Sequence, residues 1–534
     1  MARKTVGEHL VELLEAHGVD TVFGIPGVHT IELYRGLGSS KIRHITPRHE
    51  QGAGFMADGY ARASGRPGVV FVITGPGLTN TVTAMAQARL DSVPMLVISG
   101  VNRRDTLGKN LGFLHELPDQ QSLAAEASLW SQTILNPEEL EPALARAFAD
   151  FATKRPGPIH IEVPTDVMKL PAAETVGKFK QPALPGVSDA ALAKAASLMA
   201  SSRKPVILAG GGARNAVLEV RELAERLGAP VVQTVNARGI LYKHPLSIPA
   251  SPSLSSVRDI LAQSDCVIAI GTEFGETDYD MYGNGDFPKL KNVIRIDIDA
   301  AQIMRRPHAL ALVGDAKTVI GALLPNIAPK AASGSSELAR DVRSAAKTEI
   351  GPRMRSHLDV VKIIRDTLPS SLIVGDSTQA IYAANLYYDH DLPFGWFNSA
   401  TGFGALGYAA PASIGAQLGA PGSTVVCLTG DGGLQFSLAE LGSAADVNAP
   451  VIFVVWNNNG YQEIETSMVQ AGIAPVGVTP SAPDFLTVAK AYGIAGAKPQ
   501  TLGEFALALI TARDGGKPYL ICLDEAVAEG RQPD

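Results

Sequence analysis

The stretch Val425-Val-Cys-Leu-Thr-Gly-Asp-Gly-Gly433 joins an apolar run directly to a glycine-rich acidic turn. A second apolar run, Val451-Ile-Phe-Val-Val455, ends in the polar turn Trp456-Asn-Asn-Asn-Gly460. Continuous apolar runs of this length are typical of strands that are buried on both faces of a parallel sheet. Polar residues that directly follow such strands lie at the carboxyl edge, where open α/β sheets bind ligands. The two stretches therefore predict a parallel α/β sheet with a ligand site at that edge.

The polar residues of the two turns suggest a metal ion that bridges a diphosphate. Asp431 and Asn458 are 27 positions apart (458 − 431) and offer hard oxygen ligands of the kind that Mg²⁺ prefers. Gly432 and Gly433 would let the backbone approach phosphate oxygens closely. Either turn alone could be an ordinary turn between a strand and a helix. Together, at this spacing, they predict a metal–diphosphate site.

Similar apolar runs alternate with helical patterns along most of the chain. Examples are Val69–Thr74, Met95–Ser99, Pro205–Ala209 and Cys266–Ile270. Two stretches rich in Pro, Ala, Ser or Lys, 171–187 and 325–356, are predicted linkers. The chain is therefore expected to form three α/β domains with doubly wound parallel sheets, over residues 1–170, 186–325 and 350–534.

The composition of the 534 residues excludes several classes of protein. Lys plus Arg number 46 and Asp plus Glu 53, so the net charge of −7 argues against a binder of nucleic acid or anionic membranes. The three cysteines lie far apart and cannot form a disulfide framework. No apolar run approaches the ~18 residues of a membrane span, and the first residues contain no signal-peptide core. A cytoplasmic protein that binds neither membrane nor nucleic acid is expected.

A carboxylate stands at a predicted strand end in the first domain as well. Glu50, in Arg48-His-Glu50, is followed by a helical pattern rich in small residues from 51 to 62. The alternative explanation for Glu50 is an acid at a helix N-terminus, where the macrodipole favours negative charge.

Six motifs follow one another in the order of a known superfamily. They are Gly24-Ile-Pro-Gly27, Arg48-His-Glu50, Thr74-Gly-Pro-Gly77, Arg155-Pro-Gly-Pro158, Gly430-Asp-Gly432 and Asn457-Asn458. This series resembles the thiamine-diphosphate-dependent 2-oxo acid decarboxylases and acetolactate synthases. The resemblance implies a pyrimidine-binding domain, a central domain and a diphosphate-binding domain. It also implies active sites between subunits, hence a homodimer at least and usually a tetramer.

The resemblance assigns roles to single residues. Glu50 matches the glutamate that hydrogen-bonds the aminopyrimidine ring of the cofactor. Asp431, Asn458 and the carbonyl of Gly460 match the Mg²⁺ ligands. Leu406 matches the apolar residue that holds the cofactor bent, although it could also be a plain core leucine.

Further cofactor contacts are expected at the same edge of the two sheets. The backbone of Gly404 matches the group that binds the exocyclic amine of the cofactor. The remaining candidates are Thr74, Ser377, Thr378, Gly432 and Gly433.

Two histidines bear on which member of the superfamily this is. His115 lies in the loop where acetolactate synthases have a glutamine and pyruvate decarboxylases a histidine pair, and His29 lies where benzaldehyde lyase has a histidine. Either imidazole could move a proton or hold the substrate carboxylate, and either could be a packing residue. The segment 250–256 lacks the Gly/Met/His-rich pattern of flavin-binding relatives, so FAD is not expected.

An acidic segment follows the predicted strand Cys266–Ile270. Glu276, Asp278 and Asp280 occupy alternate positions among aromatic residues, a pattern that suits a guanidinium group but also suits a solvated loop. In benzoylformate-decarboxylase-like relatives this segment reaches the active site. Together with His29 and the stretch Leu114-His-Glu-Leu-Pro-Asp119, this segment makes the chain resemble the 5-guanidino-2-oxopentanoate decarboxylases. That resemblance implies conversion of the acid to 4-guanidinobutanal and carbon dioxide.

Two alternatives stay open. A carboligase, like an acetolactate synthase or a benzaldehyde lyase, would form acyloins. A non-catalytic relative on the same fold would lose Glu50, Asp431 or Asn458, and all three are present.

Overall fold

The computed structural model describes residues 4–174, 180–279, 287–330 and 334–531. It contains three six-stranded sheets, one in each third of the chain, and all their strand pairs are parallel. This confirms the predicted fold class. Among the described helices, none has both the length and the apolar character to cross a membrane.

The N-terminal domain is a sheet covered by helices on both faces. Its elements are α1 (Val6–Ala16), β1 (Thr21–Gly24), α2 (Ile31–Leu37), β2 (Arg43–Ile45), α3 (Glu50–Ser64), β3 (Gly68–Val72), α4 (Pro76–Leu90), β4 (Met95–Val101), α5 (Gln120–Glu126), β5 (Ser131–Thr133), α6 (Leu140–Thr153) and β6 (Pro158–Pro164). The strand order is β2-β1-β3-β4-β6-β5. The chain therefore reverses direction across the sheet between β1 and β3, which is where such sheets form ligand crevices.

The central domain has a different strand order. Its elements are α7 (Asp189–Ser201), β7 (Pro205–Ala209), α8 (Val217–Leu227), β8 (Val231–Gln233), β9 (Ser247–Ile248), α9 (Ser255–Gln263), β10 (Cys266–Ile270), α10 (Glu276–Tyr279), β11 (Ile294–Asp297), α11 (Ala300–Ile303), β12 (Leu310–Val313), α12 (Ala316–Leu323) and α13 (Ser335–Glu349). The strand order is β12-β11-β10-β7-β8-β9, so the reversal lies between β7 and β10.

The helix α13 lies inside the stretch 325–356, which the sequence predicts as a linker. Its buried face of Ala339, Val342 and Ala346 packs into the core that the central and C-terminal domains share. Glu349 at its end accepts a hydrogen bond from the backbone amide of Ser255 at the start of α9, at 2.6 Å. Part of the predicted linker is therefore an amphipathic helix, whose apolar face consists largely of small residues. The first predicted linker, 171–187, lies partly outside the described residues.

The C-terminal domain repeats the strand order of the N-terminal one. Its elements are α14 (Gly351–Thr367), β13 (Leu372–Gly375), α15 (Gln379–Leu386), β14 (Trp396–Asn398), α16 (Ala409–Gly419), β15 (Val425–Gly430), α17 (Asp431–Gln435), α18 (Glu440–Asp446), β16 (Val451–Asn457), α19 (Gln462–Gln470), α20 (Phe485–Ala491), β17 (Ala495–Ala497), α21 (Leu502–Gly515), β18 (Tyr519–Asp524) and α22 (Glu525–Ala528). The order β14-β13-β15-β16-β18-β17 places the reversal between β13 and β15.

Alternate residues of the strands enter two different cores, which explains why the strands are apolar throughout. In β15, Val426 and Leu428 belong to the core under α14 and α21. Val425 and Cys427 belong to the opposite core, which also contains residues of α3 and α16. Since successive side chains point to opposite faces and both faces are covered, polar side chains are disfavoured along the whole strand.

Candidate active site

The two polar turns of the C-terminal domain, at Asp431 and at Asn458 to Gly460, lie at the ends of neighbouring strands, and together they are called the metal turn after their predicted role. β15 and β16 are neighbours, with Gly430 opposite Trp456, so the residues after both strands share one edge. Burial raises the pKa of the Asp431 carboxyl, and hydrogen bonds from the backbone amides of Asn458 and Gly460 oppose this rise. The carboxylate is therefore in contact with the second turn.

Asn458 is held so that its oxygen is available. Its Nδ2 donates to Gln462 Oε1 at 3.1 Å and to Glu525 Oε2 at 3.2 Å, so both of its amide hydrogens are used within the described part of the chain and Oδ1 is the remaining polar atom. Gly460 has φ +150°, and a Cβ there would lie 2.4 Å from the carbonyl oxygen of Val478. The oxygens of Asp431, Asn458 and Gly460 are of the kind that divalent cations prefer, and their role as metal ligands stays a prediction.

The predicted diphosphate residues lie beside this turn. A Cβ at Gly430 would lie 3.0 Å from Thr378 Oγ1, so the glycine allows the turn and the residues after β13 to approach each other. Asp376, which precedes Ser377, accepts hydrogen bonds from the backbone amides of Ser377 and Gly407, each at 2.9 Å. Burial raises the pKa of Asp376 to about 6. The sequence alone predicts no role for Asp376, although it directly precedes the candidate Ser377.

The loop with Gly404 and Leu406 is fixed at several points. The amide of Gly404 donates to the carbonyl of Ser399 at 3.1 Å, and Gly404 has φ +74°. The amide of Ala405 donates to Gln87 Oε1 at 3.2 Å. Leu406 is only half-buried, so the interpretation as a plain core leucine is not supported.

Glu50 begins α3 at the carboxyl edge of the N-terminal sheet. Its Oε2 accepts a hydrogen bond from Asn80 Nδ2 on α4 at 3.0 Å. The loop before it is held by Glu440 of α18, whose Oε1 accepts from the backbone amides of Arg48 at 3.0 Å and His49 at 3.1 Å. Neither Asn80 nor Glu440 was found from the sequence, because each acts through a contact between distant segments.

His29 and His115 form a pair, with ring centroids 5.3 Å apart. A Cβ at Gly100 would lie 2.5 Å from the carbonyl oxygen of His29, and one at Gly75 would lie 2.5 Å from that of His115. The glycines therefore let both histidines approach the strand ends. Burial and the neighbouring His115 both lower the pKa of His29. In both rings Nδ1 is buried and has no hydrogen-bond partner among the described residues.

Three family models match the chain. They are the N-terminal thiamine pyrophosphate (TPP) binding domain of thiamine pyrophosphate enzymes over residues 4–123, their central domain over 192–323, and their C-terminal TPP binding domain over 376–523. This chain belongs to the thiamine pyrophosphate enzyme family. The predicted superfamily is thereby confirmed.

Relatives of this thiamine pyrophosphate enzyme cover nearly its whole length. It is 43% identical to the Probable 2-ketoarginine decarboxylase AruI of Pseudomonas aeruginosa, over 94% of this chain and 90% of that protein. It is 30% identical to the acetolactate synthase isozyme 1 large subunit of Escherichia coli, over 92% and 89%. It is 33% identical to the acetolactate synthase large subunit IlvB1 of Mycobacterium tuberculosis, over 85% and 76%.

Thr74 of this thiamine pyrophosphate enzyme is buried after the end of β3. Its hydroxyl donates to Gln120 Oε1 at 2.7 Å. The Gln120 side chain also donates to Glu162 Oε2 at 2.8 Å and to the carbonyl of Gly100 at 3.0 Å. Thr74 thus takes part in a buried network under the two histidines, a contact that the sequence did not predict, and its cofactor contact stays a prediction.

The acidic residues of the segment 276–280 have different surroundings. Glu276 of α10 is paired with Arg306. Asp278 lines a cavity of about 380 Å³ between the three domains. The walls also include the acidic residues Asp91 and Glu273 and the basic residues Arg62, Lys154, Arg155 and Arg214. Burial raises the pKa of Asp278 to about 7; Arg238 opposes the rise, and Glu273 and Asp91 add to it. Asp280, the third predicted substrate residue, lies outside the described residues.

Proposed function

We propose that this protein is a thiamine-diphosphate- and Mg²⁺-dependent decarboxylase of 5-guanidino-2-oxopentanoate, also called 2-ketoarginine, and releases 4-guanidinobutanal and carbon dioxide. One observation supports this most strongly. The chain is 43% identical over 94% of its length to a protein named for the decarboxylation of 2-ketoarginine, whereas the acetolactate synthases named above are 30% and 33% identical.

The oxygen donor set supports the proposed cofactor and metal. Asp431, Asn458 and Gly460 would hold Mg²⁺, and Ser377 and Thr378 would contact the diphosphate. When bound, thiamine diphosphate supplies a positively charged ring that accepts the electron pair left by departing carbon dioxide. The protein then has to bind the substrate, keep it oriented and move protons.

Glu50 and the histidine pair are suited to moving protons. The Glu50 carboxylate is half-buried and oriented by Asn80, so it could hold a proton at Oε1 while Oε2 stays bonded. The lowered pKa of His29 keeps this imidazole neutral at pH 7, so it can accept a proton. Nδ1 of His29 and Nδ1 of His115 are buried and have no hydrogen-bond partner among the described residues, so a substrate oxygen that entered between them would supply one.

The carboxylates of the three-domain cavity support a cationic substrate tail. Asp278, Glu273 and Asp91 are close enough that each of the other two raises the pKa of Asp278. Asp91 is already paired with Arg62 at 2.8 Å and Glu273 with Arg155 at 2.7 Å. A guanidinium group would therefore bind chiefly to Asp278, with which it could form paired hydrogen bonds. Asp91 also accepts a hydrogen bond from Thr401 at 2.8 Å, which connects the cavity wall to the loop with Gly404. We include Glu276 and Asp280 as further candidates.

Exposed apolar side chains on both terminal domains support the proposed homo-oligomer, a dimer at least and a tetramer by the family resemblance. Those at the edge of the N-terminal site are Val28, Ile31, Leu111, Phe113 and Leu114, and those of the C-terminal domain are Phe403, Phe436, Ile464, Val469 and Val476. Patches of this kind are typical of interfaces. If the N-terminal patch of one chain packed against the C-terminal patch of a second chain, Glu50 of the first chain would face the metal turn of the second. The three cysteines are buried free thiols, which supports a reducing compartment such as the cytoplasm.

A substrate panel tests the proposal. Carbon dioxide release from 5-guanidino-2-oxopentanoate should exceed release from pyruvate and from an uncharged 2-oxo acid of equal length. Asp278→Asn should raise KM for the guanidino acid by about tenfold, the effect of losing one ion-paired contact. The same variant should leave KM for the uncharged acid nearly unchanged. Faster turnover of pyruvate, together with a neutral Asp278→Asn, would contradict the proposed substrate.

The alternative function is a carboligase, which the identity to acetolactate synthases favours. The two activities differ in their products. A decarboxylase accumulates free aldehyde, whereas a carboligase accumulates an acyloin from two oxo compounds. Product analysis by mass spectrometry after complete conversion therefore decides between them.

A further inference from the structure

A carboxylate directly after β18 holds the side chain of Asn458. Glu525 begins α22, is 4% exposed, and accepts with Oε2 from Asn458 Nδ2 at 3.2 Å. The same oxygen accepts from Trp456 Nε1 at 2.9 Å. The strands β16 and β18 pair with Asn457 opposite Asp524, so Asn458 and Glu525 are the next residues along the same edge. The contact is therefore built into the register of the sheet.

The other oxygen of Glu525 is also fixed. Its Oε1 accepts from Arg353 Nη2 at 2.8 Å, and Arg353 Nε donates to Glu529 Oε1 at 3.0 Å. The groups that hydrogen-bond the Glu525 carboxylate, on Asn458, Trp456 and Arg353, are thus all donors. Only a group that accepts at both oxygens can satisfy them, and an ionised carboxylate is such a group.

The surroundings of Glu525 could be mistaken for a second metal site. His357, Glu525 and Glu529 place possible ligand atoms within 4.8 Å of one another. However, the guanidinium of Arg353 already donates to both carboxylates and supplies the positive charge that they need. The cluster is therefore complete as a support for the neighbouring turn.

We propose that Glu525 is a positioning residue: by binding Nδ2 of Asn458 it turns Oδ1 toward Asp431 and so sets the affinity for the divalent cation. This rests on the proposed Mg²⁺-dependent function. Groups that orient a metal ligand from behind typically change metal affinity about 10–100-fold when replaced. Glu525 and Arg353 lie outside the range 376–523 that the C-terminal family model matches.

The test is Glu525→Gln in the full-length protein. A glutamine brings an amide NH₂ group among donors. In place of Oε2 it would remove the acceptor of both Asn458 and Trp456, and in place of Oε1 it would face the Arg353 guanidinium, which favours the first orientation. The dissociation constant of MgCl₂, measured by titration calorimetry with saturating thiamine diphosphate, should rise about 10–100-fold. The thermal unfolding midpoint checks that the variant is folded.

Glu529→Gln is the matched control. Glu529 bonds the same Arg353 and lies one helical turn further on, but its other hydrogen bonds join His357 and Arg531 rather than Asn458. This variant should leave the MgCl₂ affinity close to that of the wild type. An unchanged affinity in Glu525→Gln, or an equal loss in both variants, would overturn the positioning role.

A coupled variant keeps the test decisive if Glu525→Gln alone is unstable. Asn458→Asp replaces the Nδ2 donor, which lies 3.2 Å from Glu525 Oε2, by an oxygen, so it should weaken MgCl₂ binding by repulsion between the two carboxylates. Adding Glu525→Gln should then restore part of the affinity, because the glutamine amide can donate to the carboxylate introduced at position 458. Such a restoration requires the two side chains to touch. Strictly additive effects of the two changes would overturn the proposal.

The same titration separates this inference from the proposed function. If the wild type binds neither MgCl₂ nor thiamine diphosphate, the proposed function fails. If the wild type binds both and Glu525→Gln binds MgCl₂ equally well, only the positioning role of Glu525 fails.

Discussion

Two buried carboxylates, those of Asp376 and Glu440, hold loops of the candidate site in place by hydrogen bonds. Asp376 joins the residues after β13 to the amide of Gly407, and Glu440 holds the loop before Glu50. Burial raises the pKa of both carboxyls, and hydrogen bonds from backbone amides oppose the rise. The side chains proposed to meet the cofactor, Glu50 among them, are thus placed by other buried polar residues. Each of these contacts is worth more than a surface hydrogen bond, since an unpaired buried acceptor is costly.

Replacing Glu50 tests the residue at the centre of the proposed mechanism. Glu50→Gln keeps the hydrogen bond from Asn80 but removes the ionisable group, so it should retain cofactor binding and lose turnover by about 10²–10⁴-fold. Carbon dioxide release measures turnover, and calorimetry with thiamine diphosphate measures binding. A variant with nearly full activity would contradict the role of Glu50.

Among the secondary-structure elements, two helices of small residues join the terminal domains. A Cβ at Gly415 of α16 would lie 1.8 Å from the carbonyl oxygen of Met56 in α3, and one at Gly59 would lie 1.9 Å from that of Ala412. The helices therefore pack backbone against backbone, as the small residues after Glu50 permit. Since Glu50 is the first residue of α3, this packing also fixes where its carboxylate stands relative to the C-terminal domain.

Gly415→Ala tests this packing. The added methyl group has no room beside Met56, so the variant should lose about 1–3 kcal/mol of stability, seen as a lower thermal unfolding midpoint. Gly321→Ala in α12 is the control, because a Cβ there has no neighbour within 4 Å. The control should be neutral or more stable by about 0.5–1 kcal/mol, as alanine is the better helix former. Equal effects of the two changes would show that α3 and α16 are not tightly packed.

His160 links three strands of the N-terminal sheet by hydrogen bonds and makes the stability of the folded chain depend on pH. On β6 it bonds Ser99 of β4 at 2.8 Å and Ser131 of β5 at 2.7 Å. Burial lowers its pKa from 6.5 to about 3. Below pH 6.5 the unfolded chain therefore takes up a proton that the folded one excludes, so stability is full above this pH and falls as the pH drops toward 3.

His160→Gln should remove this part of the pH dependence. Its unfolding midpoint should fall less between about pH 7 and pH 5 than that of the wild type, whatever its absolute stability. His308→Gln, at a partly exposed position, is the matched control and should retain the wild-type slope. A wild-type slope in His160→Gln would show that His160 does not exclude the proton.

In the molecule as a whole, Glu50 and the metal turn belong to different sheets of one chain. The Glu50 carboxylate accepts a hydrogen bond from Asn80, whereas the Asn458 amide donates to Gln462 and Glu525. Both edges carry exposed apolar side chains beside these residues. An arrangement in which the N-terminal site of one chain faces the C-terminal site of its partner would cover both surfaces and complete two equivalent sites by symmetry.

Mixing two inactive variants tests this arrangement. Glu50→Gln and Asn458→Ala should each be inactive alone. If a site combines two chains, each mixed dimer has one site with both residues intact, so unfolding and refolding an equal mixture should restore about a quarter of wild-type activity. If each site lies within one chain, no mixture regains activity. Sedimentation of the mixture confirms that dimers have formed.

Local sequence patterns were enough to predict much of the fold and one edge of the candidate site. Apolar runs indicated the parallel strands, and the polar turns after them, at Asp431 and Asn458, indicated the edge where ligands bind. The order of motifs along the chain was enough to predict the family, and the matches to three family models confirm that prediction. These features could be predicted because strand burial and turn chemistry act over a few neighbouring residues.

Contacts between distant side chains became known only from the folded chain. The fold pairs His29 with His115, places Glu440 392 positions beyond Arg48 in contact with it, and sets Glu525 behind Asn458. It also has a helix, α13, where the sequence predicts a linker, and it puts Asp278 in a cavity between domains. Such contacts depend on strand order, register and the packing of α3 on α16. No local periodicity encodes these, because partners far apart in the chain are chosen by the fold as a whole.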